Sequence, residues 1–268
     1  MDSQLTTAAT STYPVFPQGL PERTLCEGRY EVRFARSEAE LDAVLRLRFD
    51  VFNLELGEGL EESFSTGRDR DEFDPVCHHL MVVDLEGGAV VGTYRLQTSE
   101  MAARHLGFYS ATEFDFGTMP PAVVGEAVEI GRACIAAAHR NTQVLFLLWK
   151  GLALYVAANR RRYLFGCCSL TSQDAAEGRA ALAQLAAAGH LHPEVRLLPL
   201  PDFACPEAAG GEGPPPEVRL PMLFRIYLRH GGKVCGPPAI DPRFKTIDFL
   251  MLFDVNAMNP RMFQTYFG

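Results

Sequence analysis

From residue 127 onward the chain alternates between two periodicities, and this alternation limits the folds open to it. "AVEIGRACIAAA" (127–138) is a run of small and branched apolar residues that reads as a strand. "TQVLFLLWKGLALYVAAN" (142–159) reads as a helix, with Asn141 or Thr142 as its natural N-cap. "RYLFGCCSL" (162–170) is the next strand and "SQDAAEGRAALAQLAAAG" (172–189) the next helix. Upstream, "YEVRFA" (30–35) alternates as a first strand. Ser37 and Glu40 form a capping box that opens a helix, and Leu41, Val44, Leu45, Phe49 and Phe52 follow at helical spacing. "HHLMVVDL" (78–85) and "AVVGTYRLQT" (89–98), joined by "EGG", form a hairpin. "LPMLFRIYLRHGG" (220–232) is a short helix with a glycine stop, and "TIDFLMLFDV" (246–255) a late strand. Strands and helices in this order predict a mixed α/β sheet, in which the run from 127 is the fourth strand.

That fourth strand carries two charges, Glu129 and Arg132, where only apolar groups are expected. Side chains on a regular strand alternate faces, so residues three apart point oppositely. A β-bulge near Gly131 would bring them onto one face, beside a cleft. One reading is a structural ion pair; the other is a functional site. The strand runs through "AHRN" into the start of a helix, whose free N–H groups bind phosphate well, with Arg140 beside them.

With 47% hydrophobic and 22% charged residues, the composition is that of a globular protein, and no apolar run reaches the roughly 18–20 residues of a membrane-spanning helix. The formal charge of -8 argues against general nucleic-acid binding, although "NRRRY" is a local basic patch. The N-terminus has neither a basic n-region nor an apolar h-region, so residues 1–28 are expected to be a flexible tail before one domain at 29–268. A Pro- and Gly-rich stretch at 205–217 is expected to be a mobile loop. Seven scattered cysteines without a C-x-x-C pair favour reduced, mostly buried thiols and a cytoplasmic protein. "CHH" (77–79) has no companion ligands at metal-binding spacing, so no metal is expected.

The order of these pieces resembles the GNAT acyltransferases, and within them the branch that takes acyl groups from acyl carrier protein. That branch includes acyl-homoserine-lactone synthases, N-acyl amino acid synthases and ornithine N-acyltransferases. The resemblance rests on Arg48 and Phe52 in "RFDVF", Asp71 and Asp74 in "DEFD", Arg95 in "GTYRL", and Glu129 with Arg132 in "EIGR". "RNTQVLFLLWKGLALY", "LFGCCSL" and the tail "YLRHGGKVCGPPAIDPRFKTIDFLMLFDV" are similar to the ornithine-acyltransferase and hemolysin-like subgroup, and the likeness spans about residues 30–255.

The resemblance implies a GNAT-like, mostly antiparallel central sheet flanked by helices, with a β-bulge in the fourth strand. It implies transfer of a long acyl group, with or without a 3-hydroxyl, from carrier protein to the α-amine of an amino acid. Ornithine is the preferred acceptor, giving lyso-ornithine lipid; glycine or lysine as acceptor and lactone-type synthesis are the alternatives. A non-catalytic acyl-binding regulatory module on the same fold is the alternative of another class. GNAT members that use acetyl-CoA carry a Gly-rich turn where this chain has "HRNTQV". A single phosphodiester needs only one Arg and a helix end, which favours carrier-bound phosphopantetheine over acyl-CoA. The residue roles implied are as follows. Glu129 and Arg132 are catalytic, Glu129 as base or as holder of the ammonium, with Arg132 and Arg95 neutralising it. Arg48, Phe52, Asp71, Asp74 and Arg95 bind substrate, unless the aspartates brace the arginines. Arg140, Asn141, Thr142 and Gln143 hold the phosphopantetheine, and Arg160, Arg161 and Arg162 dock the acidic carrier. No cofactor is bound permanently. The expected location is the cytoplasm, with peripheral contact on the inner face of the cytoplasmic membrane as the alternative.

Overall fold

The computed structural model describes residues 13–206 and 217–268. Residues 1–12 of the expected tail and 207–216 of the expected mobile loop lie outside the described residues. Nine strands form one sheet: β1 (Leu25–Glu27), β2 (Tyr30–Phe34), β3 (His78–Asp84), β4 (Val90–Thr98), β5 (Ala127–Ile135), β6 (Tyr163–Leu170), β7 (Lys233–Val234), β8 (Ala239–Asp241) and β9 (Thr246–Asp254). Their order is β1-β2-β3-β4-β5-β6-β9-β7, with β8 also paired to β9. The helices are α1 (Glu38–Arg48), α2 (Ser99–Arg104), α3 (Pro121–Gly125), α4 (Thr142–Ala158), α5 (Ala175–Ala187), α6 (Met222–Arg229) and α7 (Pro260–Phe267).

Among the described strands, every ladder is antiparallel except that between β5 and β6. A parallel pair needs a long crossover, and α4 supplies it. This helix is apolar nearly all round because it is buried: Val144, Leu147, Trp149, Leu152 and Tyr155 all pack into the main core with Leu80, Tyr94 and Ile130. Gly151 allows its close approach, since a Cβ there would stand 2.5 Å from Leu80 Cδ1. The opposite face of the sheet is covered by α1, whose Leu41, Val44 and Leu45 pack on Met81. Ser37 caps α1 by accepting from the Glu40 N–H, while the Glu40 carboxylate accepts from the N–H of Arg36. After Arg48 the helix loosens into a π-helical segment, Phe49–Leu56, closed by Gly57 at φ 70°.

Two irregularities shape the centre. First, β5 and β6 pair over only Ala127–Glu129 and Tyr163–Phe165, and then diverge. Gly166 stands where they part; a Cβ there would meet the Ile130 carbonyl oxygen at 2.0 Å. Second, Arg95 faces Gly131 and Thr93 faces Cys134, so β5 carries one residue more than β4 across this stretch. The extra residue lies at Arg132 and Ala133, with Arg132 at φ 48°. The bulge therefore falls one position past Gly131. The strand is the fifth in the chain, because the three-residue β1 has no legible periodicity.

The tail expectation needs correction from Tyr13 on. Tyr13 is buried beside Leu41 and Met81, Leu20 joins the main core, and β1 extends the sheet along β2. Isolated apolar residues in a polar stretch carry no pattern that marks them as packed. Among the described residues, no helix is long and apolar enough to cross a membrane.

Candidate active site

Where β5 leaves β6, the strands and the helices above them enclose a cavity of about 800 Å³. One wall is apolar, formed by Ile130, Leu148, Phe224, Tyr227, Met251 and Phe253. The helix α6 closes that side, tied down by a 2.6 Å hydrogen bond between the Tyr227 and Tyr94 hydroxyls. The polar wall holds Arg95, Tyr109, Ser110, Glu129, Arg132 and Asp248. Beyond Glu129 the edge of β5 that faces β6 has no ladder partner among the described residues.

Behind the polar wall lies a lattice of three arginines and three aspartates. Arg48, wholly buried, donates to Asp69 at 2.7 Å and to Asp74 at 2.5 Å. Arg95 donates to both oxygens of Asp71 at 2.6 Å and to Asp74 at 3.1 Å. Arg132 completes the set by donating to Asp69. Burial alone would raise the carboxyl of Asp69, but the guanidinium groups of Arg132 and Arg48 hold it well below the usual range. Asp71 is held low in the same way, against its burial, by Arg95 and Arg48. The three guanidinium groups balance the three carboxylates, which makes this burial tolerable, although one oxygen of Asp69 has no hydrogen-bond partner. Arg48 and Asp74 are wholly enclosed, so substrate contact, expected for both, is not what their geometry supports; they brace the site instead. Arg95 and Arg132 reach the cavity. The Arg132 guanidinium sits between the rings of Phe52 and Phe244, 4.2 and 4.4 Å from their centroids. Asp69, which joins Arg48 to Arg132, has no feature in the sequence that sets it apart from the neighbouring acids.

Glu129 and Arg132 both line the cavity, yet the expected ion pair between them is absent, and this corrects the sequence reading. Glu129 accepts instead from the N–H of Tyr109 at 2.8 Å, the N–H of Ser110 at 2.6 Å and the Ser110 hydroxyl at 2.7 Å. Without that pair, burial pushes the Glu129 carboxyl above its ordinary range, and the three donors and the more distant Arg95 only partly oppose this.

A second acidic group, missed in the sequence, lies next to it. One ligand atom from each of Glu113, Asp241 and Asp248 falls within 4.8 Å of the others. Burial pushes Asp248 up to about 6 and Glu113 well above the usual carboxylate range. Asp248 accepts from the hydroxyls of Ser169 and Thr246, and Asp241 from the Tyr109 hydroxyl at 3.1 Å. A signal was available for Asp248: it is a charge inside the apolar strand "TIDFLMLF", the same anomaly that marks Glu129. Glu113 and Asp241 sit in no such pattern.

At the cavity mouth, Asn141 caps α4 by accepting from the Val144 N–H at 3.0 Å. Arg140, Asn141 and Thr142 line the opening, with Arg140 paired to Glu55 at 2.5 and 2.7 Å. Gln143 packs instead against the Gly28 turn. Arg160, Arg161 and Arg162 follow the other end of the 17-residue α4, about 25 Å from its start. Arg161 is bound to Glu100 and Arg162 to Asp254. They lie at the end of α4 away from the mouth, where the expected docking role does not place them. Burial pushes the Cys134 thiol up to about 12, so it stays protonated and is a poor nucleophile.

The family model described as an acetyltransferase (GNAT) domain matches residues 47–150. The chain is 31% identical over 260 residues to an L-ornithine N(alpha)-acyltransferase of Agrobacterium fabrum, covering 90% of this chain and 86% of that one. It is 34% identical over 247 residues to an L-ornithine N(alpha)-acyltransferase of Rhodobacter capsulatus, covering 88% and 94%. Among solved structures it resembles FeeM, an N-acyl amino acid synthase from uncultured soil microbes, with a TM-score of 0.50 over 85% of this chain and 92% of that one. At 13% identity that likeness is one of fold.

Proposed function

The chain belongs to the family of L-ornithine N(alpha)-acyltransferases and is an acyltransferase of the GNAT fold, and from this premise we propose that it moves a long, 3-hydroxylated acyl group from acyl carrier protein to the α-amine of ornithine, giving lyso-ornithine lipid. The observation that carries the reading is the cavity itself. Its apolar wall suits an acyl chain, its carboxylate-lined wall suits a cationic amino acid, and the two meet where β5 and β6 part.

In this reading the acyl thioester lies in the gap between the strands. The acceptor amine attacks the carbonyl carbon, the C–N bond forms, and the C–S bond breaks to release the pantetheine thiol. Backbone N–H groups freed by the splay and the bulge stabilise the oxyanion. Glu129 uses three of its roughly four lone-pair directions on Tyr109 and Ser110. With its proton affinity raised by burial, it takes the ammonium proton, directly or through one water. The arginine–aspartate lattice holds Arg132 and the bulge in place. The start of α4, with Arg140 and Asn141 and no glycine, takes the single phosphodiester of the carrier's arm. The carrier then docks at this mouth.

Release of free thiol from 3-hydroxyacyl carrier protein tests the reading. The thiol should appear when ornithine is added and not without an amine. A binding module would retain the acyl carrier protein without turnover, and an enzyme for another acceptor would respond to that amino acid and not to ornithine.

A further inference from the structure

Resting on ornithine as the acceptor, we propose that Glu113, Asp241 and Asp248 form the pocket for its side-chain ammonium and set the enzyme's acceptor specificity. The three carboxyls are 1%, 3% and 3% exposed, and among the described residues no arginine or lysine forms an ion pair with any of them. The contrast with the neighbouring lattice is direct: there, three buried aspartates meet three arginines. Adjacent buried carboxylates cannot all ionise without a cation. The partners they do have are neutral: the hydroxyls of Tyr109, Ser169 and Thr246, the backbone N–H groups of Arg243 and Phe244 on Asp241, and the Cys167 thiol on Glu113. One oxygen of Glu113 is buried and has no hydrogen-bond partner at all. An alkylammonium has three donors and no acceptor, which matches three converging carboxyls.

The position also fits. Asp248 lines the cavity together with Ser110 and Cys167. The Ser110 hydroxyl bonds Glu129 at 2.7 Å and lies 3.5 Å from the Cys167 sulfur, which is 3.8 Å from Glu113 Oε2. The trio therefore lies only a few side-chain contacts beyond the group assigned to the α-amine. The α-carbon and three methylenes separate the two nitrogens of ornithine, and the methylenes would pass Ser110 and Cys167. The remaining lone pairs of Asp241 and Asp248 keep their hydroxyl donors, so the trio stays hydrogen-bonded when the site is filled.

Norvaline, which has the same chain without the terminal amine, is the probe. Purified wild type should favour ornithine over norvaline in kcat/KM by at least about 10²-fold, since a site built for a polar group rejects the analogue lacking it. In Asp248→Asn and in Glu113→Gln that ratio should fall by about 10–100-fold, the loss of one charge-assisted hydrogen bond, mainly through KM for ornithine. Turnover of norvaline reports folded enzyme in the same sample, and the two variants serve as checks on each other should one be unstable. An unchanged ratio in a folded variant overturns the assignment while leaving the acceptor reading intact. Wild type that turns over another amino acid but not ornithine overturns both. Activity lost on EDTA treatment and restored by magnesium, calcium or manganese overturns it in favour of a metal.

Discussion

Replacing Glu129 by glutamine exchanges one of its two oxygens for an amide nitrogen, and the hydrogen bonds around it decide which. Oε1 accepts from both the N–H and the hydroxyl of Ser110, at 2.6 and 2.7 Å, so the glutamine oxygen must stay there. The amide nitrogen then faces the Tyr109 N–H at 2.8 Å, donor against donor. Leaving that buried N–H unpaired costs about 1–3 kcal/mol, partly offset by removing a charge that burial disfavours. The melting temperature should fall by about 2–8 °C, given about 2–4 °C per kcal/mol for a chain of this size. If Glu129 takes the proton, kcat should fall by about 10²–10⁴-fold, far beyond what this stability loss explains. Ser110→Ala separates the two effects, because it removes one donor and keeps the carboxylate. A donor to the ionised form lowers a carboxyl pKa, so its removal raises it, and the acid limb of kcat/KM should move to higher pH. Measured side by side, a Glu129→Gln variant that keeps kcat and a Ser110→Ala variant with an unmoved acid limb would refute the proton-transfer role. Glu129 would then serve only to fix the Tyr109–Ser110 turn.

Other perturbations have equally definite outcomes. Burial raises Asp248 from its ordinary 3.8 to about 6, so substrate-free protein is fully stable with respect to this group below pH 4 and loses about 3 kcal/mol (about two units at 1.36 each) as pH rises through about 6. Asp248→Asn should therefore melt higher than wild type above pH 6 and at the same temperature near pH 4; no gap at pH 7.5 would contradict the assignment of that strain. Asp69→Asn strips the shared carboxylate from Arg48 and Arg132 and should cost about 3–5 kcal/mol in urea unfolding, whereas a loss below about 1 kcal/mol would show that the lattice is not structural. Arg140→Glu should raise KM for acyl carrier protein, with the effect shrinking at high salt, while reversal of Arg160–Arg162 should leave it unchanged. The opposite pattern would move the docking face to the far end of α4.

The elements that proved legible were those with strong local patterns. The long apolar run of α4, interrupted only at Lys150 and Gly151, and the Ser37–Glu40 cap announced their helices, and the "EGG" turn announced the β3–β4 hairpin. Charge inside an apolar strand pointed to Glu129 and the bulge beside it. What the sequence hid was pairing across distance. The partners of Glu129 are the N–H groups of Tyr109 and Ser110 and the Ser110 hydroxyl, in a loop with no pattern that marks it, and the partner of Arg132 is Asp69, one acid among several in "DRDEFD". The acidic trio draws Glu113 from a loop and Asp241 and Asp248 from two late strands, over more than 130 positions, so only the fold brings them together. The three arginines after α4 show the converse: a conspicuous basic run that the helix length carries away from the cavity mouth.

The central claim is tested most directly by the product. Purified protein given 3-hydroxyacyl carrier protein and ornithine labelled with 15N at the α-nitrogen should yield one amide, and tandem mass spectrometry should find the acyl group on the labelled nitrogen. An acyl group on the side-chain nitrogen, or acylation of a different amino acid while ornithine is left untouched, would contradict the account.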